Sequence, residues 1–483
     1  MGAVGTGAWS VIDWLLLVER ELLAFAAFWF CVGLLDELAI DLTWLGLKLR
    51  GKARTGRLPV GYGAEPLSGA SAVLIPTYGE SAVIGATISH MLAAWPQRDL
   101  TIYVGCYRND AATVAAALDG IGADQRVRLV LLSTNGPTTK ADCLNRLYRA
   151  LCTDEARRER RFSSVVLHDA EDMVHPCALQ AIDAALVMRD FVQLPVRPEP
   201  QADSRWIAGH YADEFAENHA KGMVVRSALG AALPAAGVGC GFSRAALGLL
   251  AERRVGEDQA GPFAPECLTE DYELGLTLST QGRGSAFLRL RDDAGHLVAT
   301  RSYFPNRLDT AVRQKTRWVH GIAFQGWDRM GWTLNPLDVW MALRDRRGPL
   351  TALVLAAAYL LLVLDAVLLV LQSRGQIDVL ALSVPLRVML VASFFGFVWR
   401  ASLRAAFTAR EYGWREGLIA VLRIPIANII AIMAGRRATA AYFRSLTTGH
   451  VVWDKTAHDR HPAAMPGIVA AAAPGAILRE VRA

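Results

Sequence analysis

The chain reads as an α/β protein: a mixed, mostly parallel, Rossmann-like sheet joined to transmembrane and interfacial α-helices. Three observations predict this. Between residues 71 and 188, short apolar runs alternate with amphipathic stretches, the pattern of buried strands connected by crossover helices. Longer apolar stretches bordered by arginine and lysine lie on either side of that region, as expected of membrane helices. Polar clusters fall where the predicted strands end, the place where such sheets bind ligands.

Taken in order, residues 14–47 are largely apolar but carry Glu19, Arg20, Glu21, Asp36, Glu37 and Asp41. Their cleanest core, 22–35, is short for a span, so a crossing requires the helix to extend towards Trp9. The basic run Lys48, Arg50, Lys52, Arg54 and Arg57 follows; it predicts a cytoplasmic side for what comes next and an outside N-terminus. No basic segment precedes the first apolar stretch, so a cleaved signal peptide is not expected. Strands are predicted at 71–76, 100–105, 127–132 and 164–168, with helices at 82–94, 111–118, 140–151 and 176–188. Two spans are predicted at 350–371 and 379–399, the first preceded by Arg344, Arg346 and Arg347, the second followed by Arg400, Arg404 and Arg410. The run 417–434 contains Arg423 and Pro425 and has arginines at both ends, which favours a helix along the cytoplasmic face. Beyond His461 the Ala- and Pro-rich sequence predicts a disordered tail. The resulting division is 1–50 membrane helix and basic flank, 51–345 cytosolic domain, 346–461 membrane and interfacial helices, and 462–483 tail.

Composition agrees. The 483 residues are 53% hydrophobic with a mean hydropathy of +0.25, high for a purely soluble enzyme. A net charge of +5 suits an anionic substrate or leaflet and does not indicate nucleic-acid binding. The seven cysteines are odd in number, scattered and never spaced CxxC, which points to a reducing compartment, without a disulfide framework or structural zinc. His168 and His175 flank an acidic cluster, where they read as ordinary polar neighbours of a site.

The clusters carry the chemistry. Glu80, after Thr77 and Tyr78, and Asp110, after Asn109, lie in loops following successive strands. Carboxylates there can accept hydrogen bonds from a nucleobase or ribose, or simply cap helices. Asp169 and Glu171, at i and i+2 in extended geometry, project to one side. Such a pair, with phosphate oxygens, suits Mg²⁺ or Mn²⁺; a solvated loop is the rival reading. Lys140 stands where a helix starts, so it and the helix N-terminus can meet a phosphate. The segment lacks the second glycine of a Walker A loop. Glu270 and Asp271 begin another helix, where Thr269 is a candidate cap and the N-terminus favours an ionised Asp271. An ionised carboxylate is what a general base requires. Gln314, Arg317 and Trp318 share a helical face and can address a diphosphate and a sugar ring; Trp318 also fits a lipid boundary.

These motifs, Pro76 to Glu80, Val104 to Asp110, Gly136 to Asn145, His168 to Asp172, Gly237 to Arg244, Leu268 to Tyr272, Gln314 to Trp318 and Trp453 to His458, resemble the family 2 glycosyltransferases. The resemblance is to the cellulose-synthase-like branch, closest to the phage-adsorption protein B (Nfr-type) subgroup of bacterial inner membranes. It implies a GT-A fold and inverting transfer, with Asp271 as base and Glu270 beside it. It also implies donor contacts at Thr77, Tyr78, Glu80, Asn109, Asp110 and Lys140, and metal and diphosphate at Asp169 and Glu171. Gln314, Arg317 and Trp318 would meet diphosphate and acceptor, and a Gly239–Phe242 turn would border the acceptor channel. The implied activity is transfer of a hexose or N-acetylhexosamine from a UDP-sugar to a growing glycan or lipid-linked acceptor, with the lipid bilayer and an envelope export component as further partners. The usual D-x-D is here D-x-E. Too few spans are predicted for one copy to translocate a polymer, and no regulation by a cyclic dinucleotide is expected. Two rival readings are a non-catalytic nucleotide-sugar-sensing scaffold for an export or receptor complex, and a nucleotidyltransferase, which leaves Gln314 to Trp318 unexplained.

Overall fold

The computed structural model describes residues 10–254, 261–377, 382–448 and 460–464. Its centre is a seven-stranded sheet of β1 (Ser71–Pro76), β2 (Leu100–Tyr107), β3 (Val127–Leu132), β4 (Ser164–Leu167), β5 (Phe191–Gln193), β6 (Cys240–Ser243) and β7 (Ser285–Phe287). The spatial order is β3-β2-β1-β4-β6-β5-β7. β6 runs antiparallel to both of its neighbours, and every other pair is parallel. The first four strands fall where the apolar runs predict them. They are continuous in hydrophobicity, not alternating, because helices cover both faces.

On one face lie α2 (Ile84–Ala94), α3 (Ala111–Ile121) and α5 (Ala178–Leu186). Ile84, Ile88, Met91, Trp95, Leu179 and Ile182 build the core there. On the other lie α4 (Lys140–Arg158), α8 (Arg244–Arg253) and α9 (Glu270–Ser279), with Leu144, Leu147, Leu151, Leu247 and Leu274 against Phe242. Phe191 and Phe242 stack at 5.1 Å between ring centres. The parallel strands β1, β2 and β4 therefore end side by side, and the residues that follow them meet. All seven cysteines are unpaired.

The remaining helices are α1 (Val11–Leu49), α6 (Ile207–Glu217), α7 (Met223–Ala228), α10 (Leu308–Val319), α11 (Gly326–Met330), α12 (Pro336–Arg346), α13 (Gly348–Ser373), α14 (Val384–Tyr412), α15 (Trp414–Leu422) and α16 (Ile424–Thr448). By length and composition α1, α13 and α14 are long and apolar enough to cross a membrane. Leu362, Val363, Leu369, Phe394 and Phe395 are exposed on them, as a lipid-facing surface requires. The run 417–434, expected as one helix along the membrane face, is instead divided. α15 and α16 meet at a bend of 52° and together could make a fourth, broken span. The cause sits at the bend: Arg423 is 1% exposed and bonds Asp213 at 2.7 Å as well as Glu416. The adjoining Pro425 supplies no backbone N–H.

The acids within α1 also find partners. Lys221 reaches Asp41 at 2.5 Å and Glu217 at 2.8 Å. Arg347 bonds Asp36 at 2.7 Å and Glu37 at 2.6 Å, while Arg400 bonds Glu37 at 2.9 Å and Glu217 at 2.8 Å. The end of α1 is thus held among α12, α13, α14 and the turn after α6. At the other end of the chain, Pro462–Ala464 form a helical turn where disorder was expected. His461 Nε2 donates to the Asp172 carbonyl at 3.2 Å. The segment 453–458 and residues 465–483 lie outside the described residues.

Candidate functional site

The ends of β1 and β2 form one wall of a cleft. After β1, the Thr77 hydroxyl donates to the Gly105 carbonyl at 2.7 Å. Asp110 Oδ2 accepts the Gly79 N–H at 2.5 Å, and Oδ1 accepts Thr113 N–H at 3.3 Å, capping α3. Glu80 is 3% exposed, and its N–H donates to Thr113 Oγ1 at 2.9 Å. The Asn109 amide exchanges two 2.8 Å hydrogen bonds with the backbone of Gly136. Asn109 and Asp110 thus clamp neighbouring loops, Asp110 also capping α3, and neither is among the residues lining the cleft.

The acidic turn after β4 divides its labour. Asp172 is 1% exposed and turns beneath the loop, where Oδ2 accepts from His168 Nδ1 and from the Asp169 N–H, each at 2.9 Å. Asp169 and Glu171 are left lining the cleft. Lys140, the first residue of α4, reaches Asp169 at 2.6 Å; the helix start is capped by Thr139, which accepts Asp142 N–H at 3.2 Å. Burial opposes the charge of Lys140, but Asp169, Glu270 and Asp271 hold its pKa above the ordinary value. Burial, together with Asp169, Asp172 and Glu80, pushes Glu171 well above the carboxylate range against the pull of Lys140.

The start of α9 lies behind Lys140, and neither Glu270 nor Asp271 is among the residues lining the cleft. Thr269 makes no capping hydrogen bond; instead Asp271 Oδ1 accepts the N–H of Tyr272 at 2.8 Å. A favourable helix terminus does not dominate Asp271. Burial raises its pKa, and Lys140 is the main counterweight. Glu270 is pushed up to about 7 by burial and by Asp271, with Lys140 pulling the other way. Gly237, at φ +72°, faces this group: a Cβ there would lie 2.4 Å from Asp271 Oδ2 and 3.1 Å from Lys140 Nζ. Lys140 therefore stands between the metal-type acids and the candidate base. The expected Gly239–Phe242 turn is mostly strand, since β6 begins at Cys240. It is Gly237 that abuts Asp271.

α10 closes the cleft with Gln314 and Arg317. The buried Gln314 Oε1 and Thr269 Oγ1 have no hydrogen-bond partner among the described residues. Trp318 does not line the cleft. It packs on Tyr211 and Phe215, at 6.1 and 6.4 Å between ring centres, with Lys315 Nζ 5.3 Å from its ring. The cleft, about 720 Å³ including its open mouth, gathers Thr77, Tyr78, Glu80, Lys140, Asp169, Glu171, Gln314 and Arg317. Sequence reasoning missed Tyr107, Thr138 and Cys143 in its lining and the contact role of Gly237. The glycine at the head of the Gly237 to Arg244 motif was the available signal for the last.

Among the described residues no group of three or more His, Cys, Asp or Glu is arranged to hold a metal ion. Asp169 and Glu171 nevertheless fit a divalent cation that takes its remaining ligands from phosphate and water. Their mutual repulsion is relieved only in part by Lys140.

A sequence profile described as glycosyltransferase like family 2 matches residues 69–321. Bacteriophage adsorption protein B of Escherichia coli (strain K12) is 31% identical over 471 residues, covering 92% of this chain and 63% of that protein. Bacteriophage N4 adsorption protein B of Escherichia coli O157:H7 gives the same figures. The chain thus spans less than two thirds of the length of these relatives. Among solved structures, a mannosyltransferase from Pyrobaculum calidifontis in complex with GDP-Man and Mn²⁺ has a TM-score of 0.49 at 16% identity, covering 86% of this chain and 99% of that one. Glucosyl-3-phosphoglycerate synthase from Mycobacterium tuberculosis, with Mn²⁺, UDP and phosphoglyceric acid, has a TM-score of 0.33 at 18% identity, covering 55% and 80%. Both scores are too low to carry chemistry across.

Proposed function

Because the chain belongs to glycosyltransferase family 2, we propose that it is a membrane-anchored, inverting transferase of the bacterial inner membrane with its catalytic domain in the cytosol. Its donor is a nucleotide sugar, UDP-linked, carrying a hexose or N-acetylhexosamine. Its acceptor is a growing glycan or lipid-linked sugar of the cell envelope, with an envelope export component as a partner. Residues 51–345 form the catalytic unit, between the membrane helix of 1–50 and the helices of 346–461.

The observation that carries the proposal is that Lys140 meets Asp271 at Gly237 and is paired on its other side with Asp169 at 2.6 Å. An inverting transferase must neutralise a leaving diphosphate on one face of the anomeric carbon and deprotonate an acceptor hydroxyl on the other, within a single site. In the proposed step the acceptor oxygen attacks the anomeric carbon as its proton passes to Asp271. The bond from that carbon to the diphosphate breaks on the opposite face, so configuration inverts. Lys140 serves twice: it offsets charge on the departing diphosphate and opposes the rise in pKa that burial imposes on Asp271. Arg317 adds positive charge from α10. Asp169 and Glu171 would hold Mg²⁺ or Mn²⁺, which when bound supplies Lewis-acid stabilisation of the diphosphate. Gln314, with its unsatisfied buried oxygen, would accept a hydrogen bond from an acceptor hydroxyl. The Thr77 to Glu80 loop and Asn109-Asp110 would cradle the nucleoside. Trp318 shapes α10 from behind.

The test is nucleoside-diphosphate release by detergent-purified protein over a panel of nucleotide sugars, with Mg²⁺ or Mn²⁺ and membrane extract as acceptor. Release with a preferred donor supports the reading. Tight donor binding without release under any condition contradicts it and favours a sensing scaffold.

A further inference from the structure

A second recess lies away from the cleft, of about 580 Å³ including its open part. Trp44 and Lys48 of α1, Lys52 and Arg54 just after it, Arg410 at the end of α14 and Arg289 after β7 all line it. The helices α1 and α14 are two of those fit to cross a membrane, and these are the ends that carry basic residues. On the membrane reading above, these ends would face the cytoplasmic side of the bilayer, and the recess lies among them.

Its charge is unbalanced. The acid at hand, Glu411, is already engaged by Arg289 at 2.5 Å and Arg291 at 2.7 Å. Lys48, Lys52, Arg54 and Arg410 form no ion pair among the described residues. The wall beneath them is rigid: Trp44 Nε1 donates to the Ala220 carbonyl at 3.1 Å, its ring meets Phe407 edge-on at 5.3 Å, and Lys48 Nζ stands 4.8 Å from it. Converging cations over an aromatic wall at the level of lipid headgroups are matched by a phosphate group, and basic pockets between membrane helices bind anionic headgroups.

We propose that this recess is a binding site for the phosphate-bearing headgroup of an anionic phospholipid. The proposal rests on the membrane reading above. The site adjoins α7 and the end of β7 through Val224, Ala228 and Phe287, so an occupied headgroup would tie the catalytic sheet to the bilayer surface.

The test uses the full chain in lipid nanodiscs of phosphatidylcholine with or without phosphatidylglycerol, followed by native mass spectrometry of retained lipid. The wild type is compared with K48Q/K52Q and, separately, R410Q, with thermal midpoints confirming that each variant is folded. Expected is selective retention of phosphatidylglycerol by the wild type, falling about fivefold for each cation neutralised and unaffected by inorganic phosphate. Equal retention of both lipids, or of phosphatidylglycerol by wild type and variants alike, overturns the site. Full displacement by inorganic phosphate overturns the lipid assignment in favour of a free anion. Failure of the wild type to enter discs of any composition overturns the membrane reading itself.

Discussion

Two charged regions of this molecule are built on opposite terms. Around the end of α1, each buried acid meets a cation: Asp41 and Glu217 share Lys221, Asp36 and Glu37 share Arg347, and Asp213 holds Arg423. In and beside the cleft, Glu80, Asp169 and Glu171 in its lining and Glu270 and Asp271 behind Lys140 face mainly Lys140 and Arg317. Burying a charge costs free energy unless a partner offsets it. A balanced cluster is therefore complete in the folded chain, and an acid-rich cleft is complete only with a ligand cation. The first kind of site holds elements together; the second is where chemistry is to be sought.

The comparison can be broken most forcefully at Asp271. Asp271→Asn is expected to lower kcat by about 10²–10⁴-fold, the range for a lost general base, with donor affinity unchanged by calorimetric titration. A variant that keeps its turnover removes Asp271 from the mechanism. In the balanced region the effect moves to stability. Arg423→Met leaves the buried Asp213 with only the longer contacts to Arg404 at 3.5 Å and Thr408 at 3.3 Å and is expected to cost up to about 3–5 kcal/mol, read as a drop in thermal midpoint, with donor affinity at low temperature retained. Gly237→Ala tests the junction in the cleft. A methyl there collides with Asp271 and requires an unfavourable φ, so turnover should fall about 100-fold, the scale of an ångström-sized misplacement, with a drop in thermal midpoint of only a few degrees.

The smallest effect is in pH dependence. Glu270 has a folded pKa of about 7 against an ordinary 4.5, so the folded state binds the extra proton. Its contribution to stability is full below the unfolded value and is lost as pH rises through about 7. The thermal midpoint of the ligand-free protein should decline between about pH 5 and pH 8, and Glu270→Gln should flatten that decline. An unchanged slope in the variant assigns the titration elsewhere.

Much of the sheet and the cleft was legible in the sequence because the informative residues are local to strand ends. Ser71–Pro76 leads straight into Thr77, and Ser164–Leu167 into His168 and Asp169. What was not legible depends on partners far away in sequence. Asp169, Glu171 and Asp172 look equivalent in a row, and only the burial of His168 reveals that Asp172 is structural. Arg317 and Trp318 lie about 100° apart around a helix, so α10 can send one into the cleft and the other onto Tyr211. The acids of α1 looked like obstacles to a span until Arg347, just before α13, and Arg400 of α14 were placed beside them. The break at Arg423 likewise needed Asp213, which lies on α6, to be explained.

The contrast between a complete and an incomplete charge cluster is tested most directly by calorimetric titration of Mn²⁺ and a nucleoside diphosphate, together and singly, into wild type, Asp169→Asn and Glu171→Gln. The account predicts that cation and diphosphate bind the wild type cooperatively and that each substitution removes this coupling while leaving the thermal midpoint of the ligand-free protein equal or higher. Undiminished coupled binding in both variants would contradict it, and would place the ligand cation somewhere other than the acidic turn.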